Sequence, residues 1–387
     1  MPITTGLDNL ISRHPGLLAN QRVGLVTNPT GVTTDLTLNL QALLAAGVRV
    51  CALFGPEHGL RACEADGVAV ASAQDSRTGL PVHSLYGTAM RPSREMAAGI
   101  DAFVYDIQDV GARFYTYIWT LSHIMEAAAE FGKSVVVLDR PNPLGGIQVE
   151  GGLLDERFSS LVGRWPLPWR YGLTIGELAG WFNRRTRCHL TVIPLLGWRR
   201  GMWYDQTGLP WVPPSPAMPS LDTATVSPGT CLFEGTNLSE GRGTSKPFEW
   251  VGAPWMDGEL WAERLNGLGL PGARFRPVVF TPSAGKHADH ECSGVQVHVV
   301  DRDRFRPVRT GLHLLLTARQ LAPSHFAWLS HQWEGRPLRL EHVDLLAGAS
   351  DVRETITAGL DVAELERRWQ PGLSAFDRDR QTHFLYD

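Results

Sequence analysis

The sequence predicts an α/β protein, with a Rossmann-like, mostly parallel sheet domain followed by a smaller α+β C-terminal domain. Three observations carry that reading. From Arg22 onward, short apolar runs alternate with helical patterns, the signature of βα units feeding a parallel sheet. Past Trp198 the composition turns abruptly to Trp, Pro and Gly. Beyond that stretch, helical and strictly alternating segments are mixed. A chain of 387 residues has room for two domains, which we set at 1–230 and 231–387.

Five stretches read as strands because they are short, apolar and bounded by turn formers: "RVGLVTN" (22–28), "VRVCALFG" (48–55), "DAFVYDI" (101–107), "SVVVLD" (134–139) and "LTVIPL" (190–195). Helical patterns lie between them at 35–46, 93–99, 114–131 and 174–185. The last of these opens with Thr174 three residues before Glu177, the spacing of a capping box. Residues 198–230 read as an ordered aromatic loop, since "GWRRGMWYDQTGLPWVPPSPAMPS" can form neither a long helix nor a central strand. In the C-terminal part "WMDGELWAERLNGLG" and "TGLHLLLTARQLA" read as helices and "GVQVHVVD" as a strand.

Composition narrows the partners. A net charge of −4 and a pI near 6.4 supply no field for nucleic acid or an anionic membrane, so a small molecule or neutral polymer is the expected ligand. The cysteines (Cys51, Cys63, Cys188, Cys231, Cys292) stand singly, which argues for reduced thiols over a disulfide framework or zinc ribbon. The N-terminal "MPITTGLDNLISRHPG" lacks a basic segment followed by an apolar run, and no apolar stretch reaches membrane-spanning length. A cytoplasmic protein is expected, or an extracytoplasmic one if a leader has been removed. Neither G-x-G-x-x-G after the first strand nor a P-loop string is present, which sets nicotinamide and nucleoside-triphosphate chemistry aside.

The polar residues fall at the strand ends. The first strand ends with Asn28 and Thr30, and the second with Glu57 and His58. The third leads into Asp106, Gln108, Asp109 and Arg113, and the fourth into Asp139, Arg140 and Asn142. Ligands of open α/β sheets bind outside the carboxyl ends of the strands, so these groups should converge on one site. Taken singly, each reads as a cap, a turn former or half of a salt bridge; four coincident ends read as a site. "KHADHEC", with His287, His290 and Cys292, is a lone cluster and reads as a turn before a strand, with no metal expected. "GRGTSKPFE" (241–249) resembles a phosphate-type loop, and "DRDRFRPVR" (301–309) reads as a solvated face. Trp198, Trp203, Trp211, Trp250 and Trp255 gather near Asn237, Glu240 and Arg242; such aromatics either stack on sugars or pack a domain interface.

Eight strings, "RVGLVTNPTGVTTDL", "ALFGPEHGLR", "DIQDVGARFYTYIWT", "LDRPNPLGG", "YGLTIGELAGWFN", "TGLPWVPPSP", "FEGTNLSEGRGTSKPFEWVGAPW" and "CSGVQVHV", together resemble the NamZ-type exo-β-N-acetylmuramidases, a family formerly of unknown function. The resemblance runs from about residue 5 to the C-terminal end. It implies a glycoside hydrolase that releases N-acetylmuramic acid (MurNAc) from the non-reducing end of β-1,4-linked MurNAc–GlcNAc fragments during cell-wall turnover and recycling. It also implies a cleft between the two domains. Carried over residue by residue, Glu57 in "GPEHG" matches the family's proposed catalytic glutamate, with His58 and Asp106 beside it. Gln108, Arg113, Tyr115, Tyr117 and Asn142 match cleft residues. The same strings bring Asn28, Arg61, Asp109, Asp139, Arg140, Glu234, Asn237, Glu240 and Arg242 into the expected substrate-binding set. Two departures stand out: Ala217 where the family usually has asparagine, and Ser227 where tyrosine is usual. Many members begin with a secretory leader, whereas this sequence enters the family pattern almost at once, which favours intracellular salvage of muropeptides.

Glycoside hydrolysis requires an acid for the leaving oxygen and usually a second carboxylate. Glu57 is the expected acid. Asp106, Asp109, Asp139 and Glu240 are open for the second role, as is the substrate's own acetamido oxygen, so retention and inversion both stay open. Arg113, Arg140 and Arg242 are candidates for reading the lactyl carboxylate that distinguishes MurNAc from GlcNAc. The chemistry requires no cofactor. A sugar-binding protein without turnover, and an amidase, are the competing readings.

Overall fold

The computed structural model describes residues 2–62, 73–87, 89–331 and 340–387. The N-terminal part runs α1 (Gly6–Arg13), β1 (Arg22–Thr27), α2 (Asn39–Ala45), β2 (Arg49–Gly55), β3 (Ala73–Gln74), β4 (Pro81–Ser84), β5 (Ala102–Asp106), α3 (Tyr117–Phe131), β6 (Ser134–Leu138), α4 (Ile175–Thr186) and β7 (His189–Ile193). Its seven strands lie in the order β3-β4-β2-β1-β5-β6-β7. Only β3 runs antiparallel, at the edge against β4; all the other pairs are parallel. The six parallel strands, numbered among themselves, follow 3-2-1-4-5-6, the doubly wound order whose crevice opens where the winding reverses, here between β1 and β5.

Burial on both faces explains the strand sequences. Every residue of β5 is buried, as the centre of a parallel sheet requires. Alternation sends Val23, Leu25, Val104 and Val136 toward Leu7, Leu10 and Leu43 of α1 and α2. Val26, Phe103, Tyr105 and Val135 face Ile118, Leu121, Leu178 and Phe182 of α3 and α4 instead. Thr174 caps α4 with its full box, its hydroxyl accepting from Glu177 N while the Glu177 carboxylate accepts from Thr174 N.

Downstream of β7 lie α5 (Leu221–Thr230), β8 (Trp250–Ala253), α6 (Gly258–Gly267), β9 (Ala273–Phe280), β10 (Cys292–Val299), α7 (Pro307–Leu321), α8 (His342–Ala347), α9 (Asp351–Ala358) and α10 (Val362–Arg380). A three-stranded antiparallel sheet, β8-β10-β9, packs with these helices, in line with the α+β expectation. The chain then returns to the first sheet. Phe376 of α10 packs edge-on against Trp181 of α4, and the Arg380 guanidinium donates to the carbonyls of Gly146, Ile147 and Gly172.

Residues 93–99, expected to be helical, form turns instead, between Pro92 and Ile100. Within the expected loop, 221–230 is the helix α5: Ser220 accepts from Thr223 N at its start, and Pro228 sits in its last turns. Among the described residues no helix is long and apolar enough to cross a membrane.

Candidate active site

Because β1, β2, β5 and β6 are parallel neighbours, Asn28, Glu57, Asp106 and Asp139 all open on one edge of the sheet. Their surroundings differ. Asn28 Oδ1 accepts from Thr30 N (3.0 Å) and Thr30 Oγ1 (2.5 Å), and Thr30 Oγ1 accepts in turn from Gln108 N (2.9 Å). Gln108 Nε2 donates to the carbonyls of Asp109 (2.7 Å) and Pro141 (2.8 Å). Asp109 Oδ2 accepts from Gly111 N (2.7 Å) and, over a short contact, from the Tyr171 hydroxyl. A backbone N–H can only donate and a carbonyl only accept, so these partners fix both amide orientations. Among the described residues, three buried atoms of this set have no hydrogen-bond partner: Asn28 Nδ2, Gln108 Oε1 and Asp109 Oδ1. Each costs about 1–3 kcal/mol if nothing fills its hydrogen-bonding capacity. Burial pushes the Asp109 carboxyl up to about 6 against the pull of Tyr171 and Gly111.

Glu57 lies two residues past β2, 9% exposed, and its Oε2 accepts from the Thr116 hydroxyl at 2.6 Å, just ahead of α3. The turn that holds it is tight. A Cβ at Gly55 would come within 2.8 Å of Leu60 N, and Gly59 N donates back to Pro56 O. His58, buried, has φ 67°, a left-handed conformation that costs a non-glycine residue about 1–3 kcal/mol and persists where surrounding structure over-determines it.

Elsewhere on the edge Asp106, Asp139 and Asn142 have their hydrogen bonds filled by protein groups. Asp106 is fully buried and takes Arg140 Nε (2.7 Å), Arg140 Nη2 (3.0 Å) and Asn39 Nδ2 (2.8 Å). Asp139 accepts from Arg140 N, Gly176 N, Thr174 Oγ1 and the Tyr386 hydroxyl, while burial pushes its carboxyl up to about 7. Asn142 spends its amide on Leu173 O and Leu144 N.

The N-terminal model of the family described as "Exo-beta-N-acetylmuramidase NamZ" matches residues 23–222, and its C-terminal model matches 225–386. The chain belongs to the NamZ family. Its similarity to the Bacillus subtilis protein "Peptidoglycan beta-N-acetylmuramidase NamZ" is 43% identity over 387 residues, covering 99% of this chain and 91% of that one. Two crystal structures of DUF1343 family proteins from Bacteroides fragilis share the fold. One has a TM-score of 0.90 at 37% identity, covering 100% of this chain and 99% of its own. The other has a TM-score of 0.79 at 30% identity with the same coverage.

Against the NamZ resemblance, several expected site residues have other occupations. Arg113 is wholly buried and donates to the carbonyls of Gly152, Leu167 and Leu346, tying the two halves of the chain together; burial pulls it down to about 9. It cannot present a fork to a ligand from there. Tyr117 is fully buried, its hydroxyl on Pro214 O, with the half-buried Tyr115 ring edge-on at 4.8 Å. Asn237 braces the 325–327 turn, and Arg61 is exposed. Glu234, Glu240, Arg242 and Lys286 form a charge cluster: Arg242 reaches Glu234 at 2.7 Å and Lys286 reaches Glu240 at 2.8 Å. Burial opposes ionisation of Glu234, but Arg242 and His342 outweigh it and hold the carboxyl well below its usual range.

The NamZ departures have local explanations. Ala217 packs against the C-terminal core, and the Ser227 hydroxyl donates to Ala224 O inside α5. "KHADHEC" is a turn, with His287 and Asp289 at positive φ, leading into β10; the His287 ring contacts Asn237 O at 2.7 Å. The tryptophans mostly pack: Trp198 against Tyr386, Trp203 beneath Arg170 and Arg302, and Trp255 stacked on His325. Sequence reasoning passed over Thr116, Tyr171 and Asn39, which hold Glu57, Asp109 and Asp106. Thr116 lay inside a recognised string, "ARFYTYIWT", but a single hydroxyl or amide carries no signal of its own.

Proposed function

We infer that the protein is an exo-β-N-acetylmuramidase, a hydrolase that removes N-acetylmuramic acid from the non-reducing end of peptidoglycan fragments. In this reading residues 1–230 form the catalytic domain and 231–387 the auxiliary domain, with the cleft between them. The carrying observation is Glu57: a carboxyl group fixed by a strained turn at the carboxyl end of β2, beside the winding reversal, with Thr116 orienting one oxygen. It serves as the acid that protonates the glycosidic oxygen.

The second carboxylate is Asp109. Asp106 is neutralised by Arg140, Asp139 has four donors, and Glu240 faces Lys286, whereas Asp109 Oδ1 has no partner among the described residues. Arg140 is the reader of the lactyl carboxylate. Its Nε and Nη2 are held by Asp106 and Val32 O, and Nη1 has no hydrogen bond among the described residues. A chromogenic MurNAc glycoside tests the reading directly: wild-type protein should release the chromophore, act far more slowly on the GlcNAc glycoside, and lose about 10²-fold or more in rate as Asp109→Asn. Binding without release would favour a sugar-binding protein. Comparable rates on both glycosides would remove the lactyl reader.

A further inference from the structure

Thr116, whose hydroxyl holds the Glu57 carboxylate, stands at the head of α3, three residues after Arg113. The turn from Ala112 to Thr116 is pinned at its start: Ala112 bridges Arg170, and Arg113 N donates to Trp169 O at 2.8 Å. Arg113 O accepts from Trp119 Nε1 at 2.9 Å, inside the first turn of α3. The backbone of Arg113 thus fixes the approach to Thr116, while its guanidinium reaches into the C-terminal half.

The receiving element there is α8, six residues long and seated in the C-terminal core through Val343, Leu345 and Leu346. A helix end leaves its last carbonyls without internal partners. Here Arg113 Nη2 donates to Leu346 O, Trp169 Nε1 to Ala347 O at 2.9 Å and Asp155 N to Gly348 O at 2.9 Å, so all three donors come from the N-terminal half. Gly348, at φ 78°, permits the approach, since a Cβ there would lie 3.0 and 3.1 Å from Arg113 Nη2 and Nη1. The planar fork addresses both halves at once: Nη1 takes the carbonyls of Gly152 and Leu167, and Nη2 takes that of Leu346. Hydrogen bonds from such an ionised donor are about twice as strong as neutral ones.

We propose that Arg113 is a positioning residue for the acid, carrying the placement of α8 through the Ala112–Thr116 turn to the Glu57 carboxylate, so that the C-terminal half sets how well Glu57 protonates the leaving group. This rests on the muramidase reading above and deepens it, giving the auxiliary domain a part in the chemistry.

Turnover of a MurNAc disaccharide and of a nitrophenyl MurNAc glycoside, measured on folded protein, separates positioning from mere cohesion. Arg113→Lys keeps the charge, but one ammonium nitrogen cannot replace both ends of the fork. It should lower kcat on the disaccharide about tenfold with KM little changed, and lower the nitrophenyl rate much less, because a displaced acid is felt where the leaving group needs its proton. Thr116→Val should show the same signature, and the double variant should lose no more than about the larger single loss, since residues acting through one another are not additive. Gly348→Ala, which sets a methyl group against the guanidinium from the C-terminal half, should reproduce the signature and carries the test should Arg113→Lys not fold. Equal losses on the two substrates, additive losses in the double variant, or wild-type turnover in folded Arg113→Lys protein would each overturn the proposal. A wild-type protein that cleaves neither substrate would instead overturn the muramidase reading on which this one stands.

Discussion

Two stretches of the same sheet edge look alike in sequence and differ in chemistry. At the β1/β5 end, Asn28, Gln108 and Asp109 each retain a buried polar atom with no partner among the described residues. At the β6/α4 end, Asp139 and Glu177 are nearly as polar and as buried, yet their carboxylates are filled: Asp139 by four donors and Glu177 by Arg200, Thr174 N and Leu385 N. Polar residues at strand ends therefore do two jobs. A satisfied set closes a joint in the protein; an unsatisfied set, held rigid by neighbours, is shaped for a ligand. If that division is right, substitutions at the first end should damage turnover and spare folding, and substitutions at the second should do the reverse.

The largest expected effect is at Glu57. Glu57→Gln keeps an oxygen for Thr116 and removes the proton, so turnover of a MurNAc disaccharide should fall by about 10² to 10⁴ with little change in the unfolding midpoint. A nitrophenyl glycoside, whose leaving group needs less protonation, should be hydrolysed with a smaller deficit. Near-normal turnover of the disaccharide would break the comparison at its active end.

Next comes Arg200, whose guanidinium forks onto Glu177 at 2.7–3.1 Å. Arg200→Ala strands a buried carboxylate and should cost about 3–5 kcal/mol in a urea denaturation, while protein that remains folded keeps its activity. An equal loss of activity in the folded fraction would show that the two ends are coupled.

The smallest and most diagnostic effect is the pH dependence of Asp139. Its carboxyl is raised from 3.8 to about 7, chiefly by burial, so the folded protein holds a proton that the unfolded chain has already released. The stabilisation is complete below about pH 4 and is lost as the pH climbs through about 7, by at most about 4 kcal/mol. Asp139→Asn should flatten that part of the stability profile between pH 4 and 7.5, and a wild-type profile already flat across the window would remove the assignment.

The legible parts of this fold were those written in local pattern. Apolar runs of five to seven residues ended at polar groups where β1, β2, β5 and β6 end, and the Thr174–Glu177 spacing marked the start of α4. What local pattern does not encode is who receives a side chain. Arg113 stood beside the strand-end residues in sequence, yet its acceptors are carbonyls at 152, 167 and 346, and backbone oxygens advertise nothing in a sequence. The helix α5 was hidden by its proline-rich approach and by Pro228, which has no N–H for the Ala224 carbonyl; the Ser227 hydroxyl donates to that carbonyl instead. The split between satisfied and unsatisfied carboxylates was equally invisible, since it depends on Tyr171, Thr116 and Tyr386 arriving from distant parts of the chain.

The return of the chain to the first sheet also has a temporal side. Asp139 receives the Tyr386 hydroxyl, and Glu177 receives Leu385 N, across separations of 247 and 208 residues. During synthesis the strand carrying Asp139 leaves the ribosome long before either partner exists. Until residues 385 and 386 are made, the joint at the start of α4 therefore lacks two of the donors that close it in the finished protein.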